Sequence, residues 1–388
     1  MPKNLFLNLS LFCLPFIAGA QVTTINTNGS KANAITTAVP FLTISPDARS
    51  GGMGEAGVAL SPDANAAYWN PAKLAFVTDQ SNAALSYSPW MRQIFPDVNL
   101  AYLSYFKKLS DRNTIGGSLR YFNLGTVDSY DSNLNSLGTI RPNEFSFDVS
   151  VARKFGEGLS MGLTGRYISS NLTQGVAADG QQTSVSKAFA ADVSLYYNTA
   201  NSRFANEGNF AFGVDISNIG TKMNYNLTGP SYFLPTNLKI GVAQTMALDN
   251  YNKITFTVDM NKLLVPTPPL RDANGNIIAG KDDNVSVVSG IFGSFTGAPG
   301  GFSEQLQELS FSGGFEYWYD HKVALRMGYF YENPNKGGRQ YVTFGTGFRV
   351  DNINLDLSYI AGRESTTPLA NVLRFSLGYS FGAAKLAK

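Results

Sequence analysis

From Ser81 onward, apolar and polar residues alternate along the chain with a period of two. Phe145, Phe147, Val149 and Val151 alternate with Glu144, Ser146, Asp148 and Ser150. Leu159, Met161, Leu163, Gly165 and Tyr167 alternate with Ser160, Gly162, Thr164 and Arg166. Near the end, Leu373, Phe375, Leu377, Tyr379 and Phe381 alternate with Arg374, Ser376, Gly378 and Ser380. Successive side chains on a strand point to opposite faces, so each segment builds one apolar face and one polar face. The pattern predicts strands near 82–89, 97–107, 113–124, 143–154, 158–169, 187–198, 209–218, 236–247, 252–261, 309–319, 322–332, 340–350, 353–360 and 371–381. Each is roughly ten residues long, the length a tilted strand needs to cross a bilayer. Segment 97–107 is the least regular, because Val98-Leu100-Tyr102 and Ala101-Leu103-Tyr105 are both apolar.

Soluble sandwiches alternate too, so the charges decide between the two architectures. The polar face carries both signs: Arg120, Asp148, Arg166, Asp192, Asp215, Lys239, Asp259, Glu316, Arg326, Arg349, Asp356 and Arg374. The apolar face carries essentially none. A Lys or Arg facing lipid costs about 2–4 kcal/mol at the bilayer midplane, so a charge-free face suits lipid contact. Tyr and Phe at strand ends suit the aromatic girdles of membrane barrels. The connections alternate in length as well. Segments 108–113, 155–157, 320–321 and 351–352 are short, whereas 125–141, 170–186, 219–235, 262–308, 333–339 and 361–370 are long and rich in Asn, Ser, Asp and Gly. Segment 198–207 is longer than a tight turn. The expected fold is all-β: a transmembrane outer-membrane barrel of about fourteen antiparallel strands, with both termini on the short-turn, periplasmic side. Closure satisfies every backbone donor and acceptor without water.

Composition removes most chemistry. Charged residues make up 15% of the 388 and the formal net charge is +2, which gives no broad positive surface for nucleic acid. One His and one Cys rule out most metal sites, Cys–His nucleophiles and disulfide scaffolds. His321 sits between Asp320 and Lys322 in an expected tight turn, as a solvated residue. Gly345-Thr346-Gly347 lies on a strand with no helix after it, so it is no phosphate-binding loop. The lumenal carboxylates are expected to pair with lumenal Arg and Lys. Neither enzymatic activity nor a cofactor is expected.

Residues 1–20 read as a secretory signal peptide: Lys3, an apolar run from Leu5 to Ile17, and Ala18-Gly19-Ala20 before Gln21. Cys13 lies inside it, preceded by Phe12 rather than the small residue of a lipoprotein site. Residues 21–40 read as a flexible arm. Residues 41–77 do not alternate. They carry three starts of one kind, Ser45-Pro46, Ser61-Pro62 and Asn70-Pro71, each a capping side chain before a proline. The run Gly51-Gly52-Met53-Gly54-Glu55-Ala56-Gly57 permits close packing. This segment is expected to form a hatch inside the lumen, the alternative being an arm resting on the periplasmic rim, followed by the barrel over 78–388.

A compact segment with Asn70-Pro71-Ala72 ahead of such strands resembles the FadL family of outer-membrane barrels. The run Asp259-Met260-Asn261-Lys262-Leu263-Leu264-Val265-Pro266-Thr267-Pro268-Pro269 is similar to the PorV family, outer-membrane subunits of the type IX secretion system. So are Asp47-Ala48-Arg49-Ser50-Gly51-Gly52-Met53-Gly54, Glu316-Tyr317-Trp318-Tyr319 and Leu373-Arg374-Phe375-Ser376-Leu377. The resemblance implies a non-enzymatic outer-membrane protein that binds the C-terminal signal domain of secreted cargo at the translocon barrel. It would then deliver that cargo to a sortase-type attachment subunit at the cell surface. The FadL resemblance implies the alternative, a diffusion channel for hydrophobic compounds, against which the charged lumenal face argues.

Two segments are candidates for docking. Trp90, Met91, Ile94 and Phe95 make the first outer loop unusually apolar, which fits a partner surface or packing onto the mouth of its own barrel or into lipid headgroups. The long loop opens on Lys262, Leu263, Leu264, Val265, Pro266, Thr267, Pro268 and Pro269, a stiff extended stretch able to present a fixed edge. A short helical turn is expected at 303–309 of the same loop. Outer-membrane lipids are the remaining expected contact.

Overall fold

The computed structural model describes residues 32–90, 96–130, 136–173, 184–200, 207–225, 229–362 and 371–382. Fourteen strands close into one barrel. They are β1 (Ser81–Pro89), β2 (Asn99–Lys108), β3 (Asn113–Asn123), β4 (Asn143–Lys154), β5 (Leu159–Asn171), β6 (Ser186–Ala200) and β7 (Glu207–Gly220). The second half is β8 (Asn237–Ala247), β9 (Asn252–Leu263), β10 (Leu309–Tyr319), β11 (Val323–Tyr331), β12 (Gln340–Val350), β13 (Ile353–Ala361) and β14 (Leu373–Phe381). Every strand pairs antiparallel with its sequence neighbour. β14 closes on β1 from Ser81↔Phe381 to Tyr87↔Phe375. The one register shift in the wall falls at Ala191/Val193, opposite Asn218, whose φ of 62° marks a bulge.

The molecule is polar inside and apolar outside. Leu163 is 62% exposed on the outer face, whereas Arg374 is fully buried on the inner one. Leu85, Leu103, Phe147, Phe189, Val258, Leu325 and Phe375 join Leu163 in the outer band. This arrangement is stable only where the surroundings are hydrocarbon. No described helix is long and apolar enough to cross a membrane, so the strands make the crossing. The irregular segment at 97–107 is now explained. Leu100, Tyr102 and Phe106 of β2 point inward, yet they are buried against other residues of the interior rather than wetted.

What buries them is the chain from Pro40 to Val77. It holds a 3-10 turn at Pro40–Thr43, one-turn helices α1 (Ala48–Gly51) and α2 (Ala66–Trp69), and a 3-10 stretch at Pro71–Phe76. Two of the three expected starts begin elsewhere. Asp47, not Ser45, caps α1 by accepting from Ser50 N–H, and α2 begins after Asn65 rather than at Ser61-Pro62. Only Asn70-Pro71 behaves as the sequence suggested, with the Asn70 side chain accepting from Ala72 N–H at 3.1 Å. At the first start, Asp47 two positions on from Ser45 takes the cap; at the second, Asn65 precedes the helix without a side-chain cap bond.

The ends of the chain also depart from expectation. β1 and β14 do begin and finish at the short-turn rim. Residues upstream of the inner segment, however, lie at the opposite rim. Asn33 N–H donates to Asn335 O at 2.9 Å, and Ala38 N–H to Phe233 O at 2.8 Å, both in long connections. The chain therefore passes down the lumen from the outer mouth before β1 starts. Residues 1–31, which include the expected signal peptide and most of the expected arm, lie outside the described residues.

Candidate functional site: lumen and outer rim

The inner segment touches the wall on almost every side. Ala48 N–H donates to Ser376 Oγ (2.9 Å) on β14, Gly54 N–H to Thr343 Oγ1 (2.8 Å) on β12, and Ala72 N–H to Ser194 Oγ (3.0 Å) on β6. Asp259 of β9 accepts from Gly57 N–H at 2.6 Å and Val58 N–H at 2.9 Å. Arg120 of β3 donates to Phe41 O and Leu42 O, and its guanidinium lies over the Tyr68 ring at 4.5 Å. Asn70 bridges to Leu195 O of β6 at 3.0 Å, while Ser160 Oγ of β5 donates to Ala72 O at 2.7 Å. The Asn70-Pro71-Ala72 element is thus held between β5 and β6.

Charged residues cross-pair as the alternating signs implied. Arg166 spans Asp148 (2.7 Å) and Asp192 (2.9 Å), and Lys239 meets Asp215 at 3.3 Å. Arg326 joins Glu316 (2.8 Å) and Asp356 (2.7 Å) within the wall. Two pairs tie wall to inner segment: Arg49 to Glu316 at 3.0 Å, and Arg374 to Glu55 at 2.7 Å. Buried ions like these resist the loss of one partner far more than they add net stability. They therefore fix the position of the segment. Among the described residues, no cluster of His, Cys, Asp and Glu can hold a metal ion.

Glycines explain how backbone can lie so close to backbone. A methyl on Gly328 of β11 would stand 2.0 Å from Gly54 N, and one on Gly345 of β12 would stand 3.1 Å from Gly52 Cα. The Gly-rich run at 51–57 and the glycines on the inner faces of β11 and β12 form one complementary surface.

At the outer rim, the long connection between β9 and β10 folds as a unit. A hairpin pairs Leu270–Arg271 with Ile277–Ala279, and helices α3 (Val287–Gly293) and α4 (Gly301–Gln307) follow. The expected turn at 303–309 is α4, begun two residues earlier. The Lys262–Pro269 run supports this unit rather than projecting from it. Leu264, Val265 and Thr267 are buried, Leu264 N–H donates to Thr236 O (2.8 Å), and Lys262 pairs with Glu308. Asn33 pins it from above, donating to Pro268 O (3.1 Å) and Glu304 Oε1 (3.0 Å). Burial alone would raise the Glu304 pKa. The Lys336 ammonium, with Gly300 N–H and Asn33, outweighs it and holds the carboxyl below its ordinary value.

Trp90 is 8% exposed and packs in the mouth with Phe41, Val98 and Phe122. Its backbone N–H donates to Val98 O at 2.9 Å. Met91, Ile94 and Phe95 lie outside the described residues. The apolar groups that do face outward were not singled out in sequence. Phe292 is 73% and Phe302 76% exposed, and Val288, Phe295 and Leu306 accompany them. Val288/Phe292 and Phe302/Leu306 each have the i, i+4 spacing of a helix face, the signal that would have found them.

Two cavities open beside the arm at the outer mouth. One, about 350 Å³, is bounded by Ile35, Tyr68, Trp69, Lys239, Phe330 and Arg339. The other, about 500 Å³, is more apolar and is bounded by Val39, Phe122, Leu124, Leu172, Tyr225 and Tyr232.

A closed barrel of fourteen strands with an apolar exterior and a packed, ion-paired interior is a FadL-like outer-membrane barrel. The fold is shared with a TodX deltaS2S3 mutant monoaromatic hydrocarbon channel, at TM-score 0.53 and 13% identity over 87% of this chain and 98% of that one. The Pseudomonas putida toluene transporter TodX gives TM-score 0.45 and 12% identity over 85% and 95%. No curated protein sequence matches the chain. The family model for type IX secretion system protein PorV matches residues 27–270, more than half of the 388. The chain belongs to the PorV family: it is an outer-membrane component associated with the type IX secretion system.

Proposed function

We propose that this protein is a non-enzymatic docking subunit that binds the C-terminal signal domain of secreted cargo as it leaves the translocon barrel. It then passes the cargo to the sortase-type attachment subunit. The observation that carries the reading is the pairing of a filled lumen with an exposed apolar surface on the outer rim. Residues 41–77 act as the hatch that keeps the lumen shut, with Asn70, Pro71 and Ala72 as its fixed end. Cargo engages Val288, Phe292, Phe295, Phe302 and Leu306, with Met91, Ile94 and Phe95 of the first outer loop contributing. The Lys262–Pro269 run is the stiff base beneath them, and Trp90 anchors the first loop. Exposed aromatic residues clustered on a rigid support are the usual hot spots of a protein interface. Replacing Phe292 and Phe302 by Ser leaves barrel insertion intact and lowers cargo recovery in pull-downs at least tenfold. Unchanged recovery rejects the reading.

The second reading, a diffusion channel for hydrophobic compounds, draws support from the apolar cavity of about 500 Å³ at the mouth. Beneath it the inner segment fills the lumen, and the wall pairs continuously between neighbouring strands. Uptake of toluene or a fatty acid by vesicles containing the protein, abolished by Leu124→Arg, would favour the channel over docking.

A further inference from the structure

The periplasmic rim is uneven in a way that the docking function does not use. Around most of this rim the lipid-facing side of the wall ends in apolar or aromatic residues: Tyr197, Phe256, Tyr317, Tyr319, Val323, Phe348, Ile353 and Phe381. At β2–β4 it ends in cations. Lys107 follows Leu103 and Tyr105 on the outward face of β2, and Arg153 follows Phe147, Val149 and Val151 on that of β4. Both are exposed. Lys107 lies opposite Ile115 of β3, and Arg153 opposite Asn113 two residues below it, so the two cations flank one strand.

The turns beside them add Lys108, Arg112 and Lys154 against Asp111 and Glu157. Lys108 is paired with Asp111 at 3.3 Å, and Lys154 lies over the Phe76 ring at 4.5 Å. Lys107 and Arg112 meet no carboxylate among the described residues, and Arg153 has only Asn113 Oδ1 at 3.3 Å. Leu109 (61% exposed) and Phe155 (51%) project from the same two turns. Cations at the end of a lipid-facing strand reach for the headgroup layer, and apolar turn residues beside them sink into the acyl boundary. At the 320–321 turn the charges are matched instead, Asp320 pairing with Lys322.

We propose that Lys107, Arg112 and Arg153 form a binding surface for the anionic headgroup of a phospholipid in the periplasmic leaflet, with Leu109 and Phe155 seated in its acyl region. Neighbouring strands lie about 4.8 Å apart, so Lys107 and Arg153 start roughly 10 Å apart on either side of β3 and both can reach one phosphodiester. The two carboxylates in the arc do not cancel it: Lys107, Lys108, Arg112, Arg153 and Lys154 outnumber Asp111 and Glu157 by three charges. An anionic lipid held there anchors one side of the barrel, and hence fixes which outer loops face a neighbour in the membrane.

The test uses the full chain in nanodiscs of phosphatidylcholine with or without phosphatidylglycerol, released into native mass spectrometry. The wild type retains phosphatidylglycerol over phosphatidylcholine. The triple variant K107Q/R112Q/R153Q retains about tenfold less at low salt, and the difference shrinks as salt rises, as expected for surface charges. K281Q in the outer loop is the control and matches the wild type. Equal retention by the triple variant and the wild type overturns the proposal. So does binding of polyglutamate in detergent that survives added phosphatidylglycerol, which would assign the arc to an acidic protein instead. Unchanged migration of unheated samples on gels shows that the variant barrel is folded.

Discussion

Gly328→Ala is the substitution whose effect the structure fixes most tightly. The new methyl would stand 2.0 Å from Gly54 N and 2.1 Å from Met53 C, both backbone atoms that cannot rotate away. Overpacking that side chains can absorb costs about 1–3 kcal/mol. Here two backbones must part, so the cost is about 3 kcal/mol or more, roughly a hundredfold in the balance between seated and displaced inner segment. Displacement also removes the 2.8 Å bond from Gly54 N–H to Thr343 and strains the Arg374–Glu55 pair. Gly165→Ala is the internal control, because nothing lies within 4 Å of its new methyl. Planar-bilayer conductance reads the outcome. The wild type and G165A stay closed, while G328A opens in long-lived steps and loses its heat-resistant gel mobility at a lower temperature. G328A behaving like G165A would refute the packing of the inner segment against β11.

Three further outcomes follow from named contacts. Glu316→Gln leaves Arg49 and Arg326 facing each other without their shared carboxylate, and should cost about 3 kcal/mol, read as a lower unfolding temperature in detergent. Glu304 has a folded pKa below its ordinary value, so the stability it lends the 264–308 unit is present above the unfolded pKa. That stability is lost as pH falls through the folded value; hydrogen exchange of the unit should quicken over that window, and E304Q should remove the dependence. A cysteine at Thr36 should react with an impermeant maleimide on intact cells, whereas one at Glu157 should react only after the outer membrane is opened, because the arm lies at the long-loop rim.

The barrel was legible because a strand in lipid has only one way to place its charges. Twelve charged residues at alternate positions gave the inner face, and the alternating loop lengths gave the two rims. β2 resisted the same logic. Leu100, Tyr102 and Phe106 face a packed segment rather than water, so their polarity reports a tertiary neighbour that periodicity does not see. The inner segment was legible as small and apolar, and so was its Asn70-Pro71 start, but the other two helix starts were not. Asp47 holds the cap expected of Ser45, and the helix expected at Ser61-Pro62 begins only after Asn65, whose side chain makes no cap bond. At the outer rim, apolar composition alone does not separate a partner surface from packing onto the barrel mouth. Trp90, Leu264 and Val265 spend their apolar surface on the mouth of their own barrel, and the exposed surface falls to α3 and α4. The passage of the arm to the outer face had no local signal, since it follows from the direction in which the inner segment crosses the lumen.

The central claim is that cargo is handled on the outer rim of a closed barrel. Photo-crosslinking in secreting cells tests it directly, with the reactive residue placed at Phe302 on the rim or at Tyr196 in the lumen. The account predicts adducts with cargo signal domains at Phe302 and none at Tyr196. Adducts at Tyr196 alone would place cargo inside the barrel and contradict it.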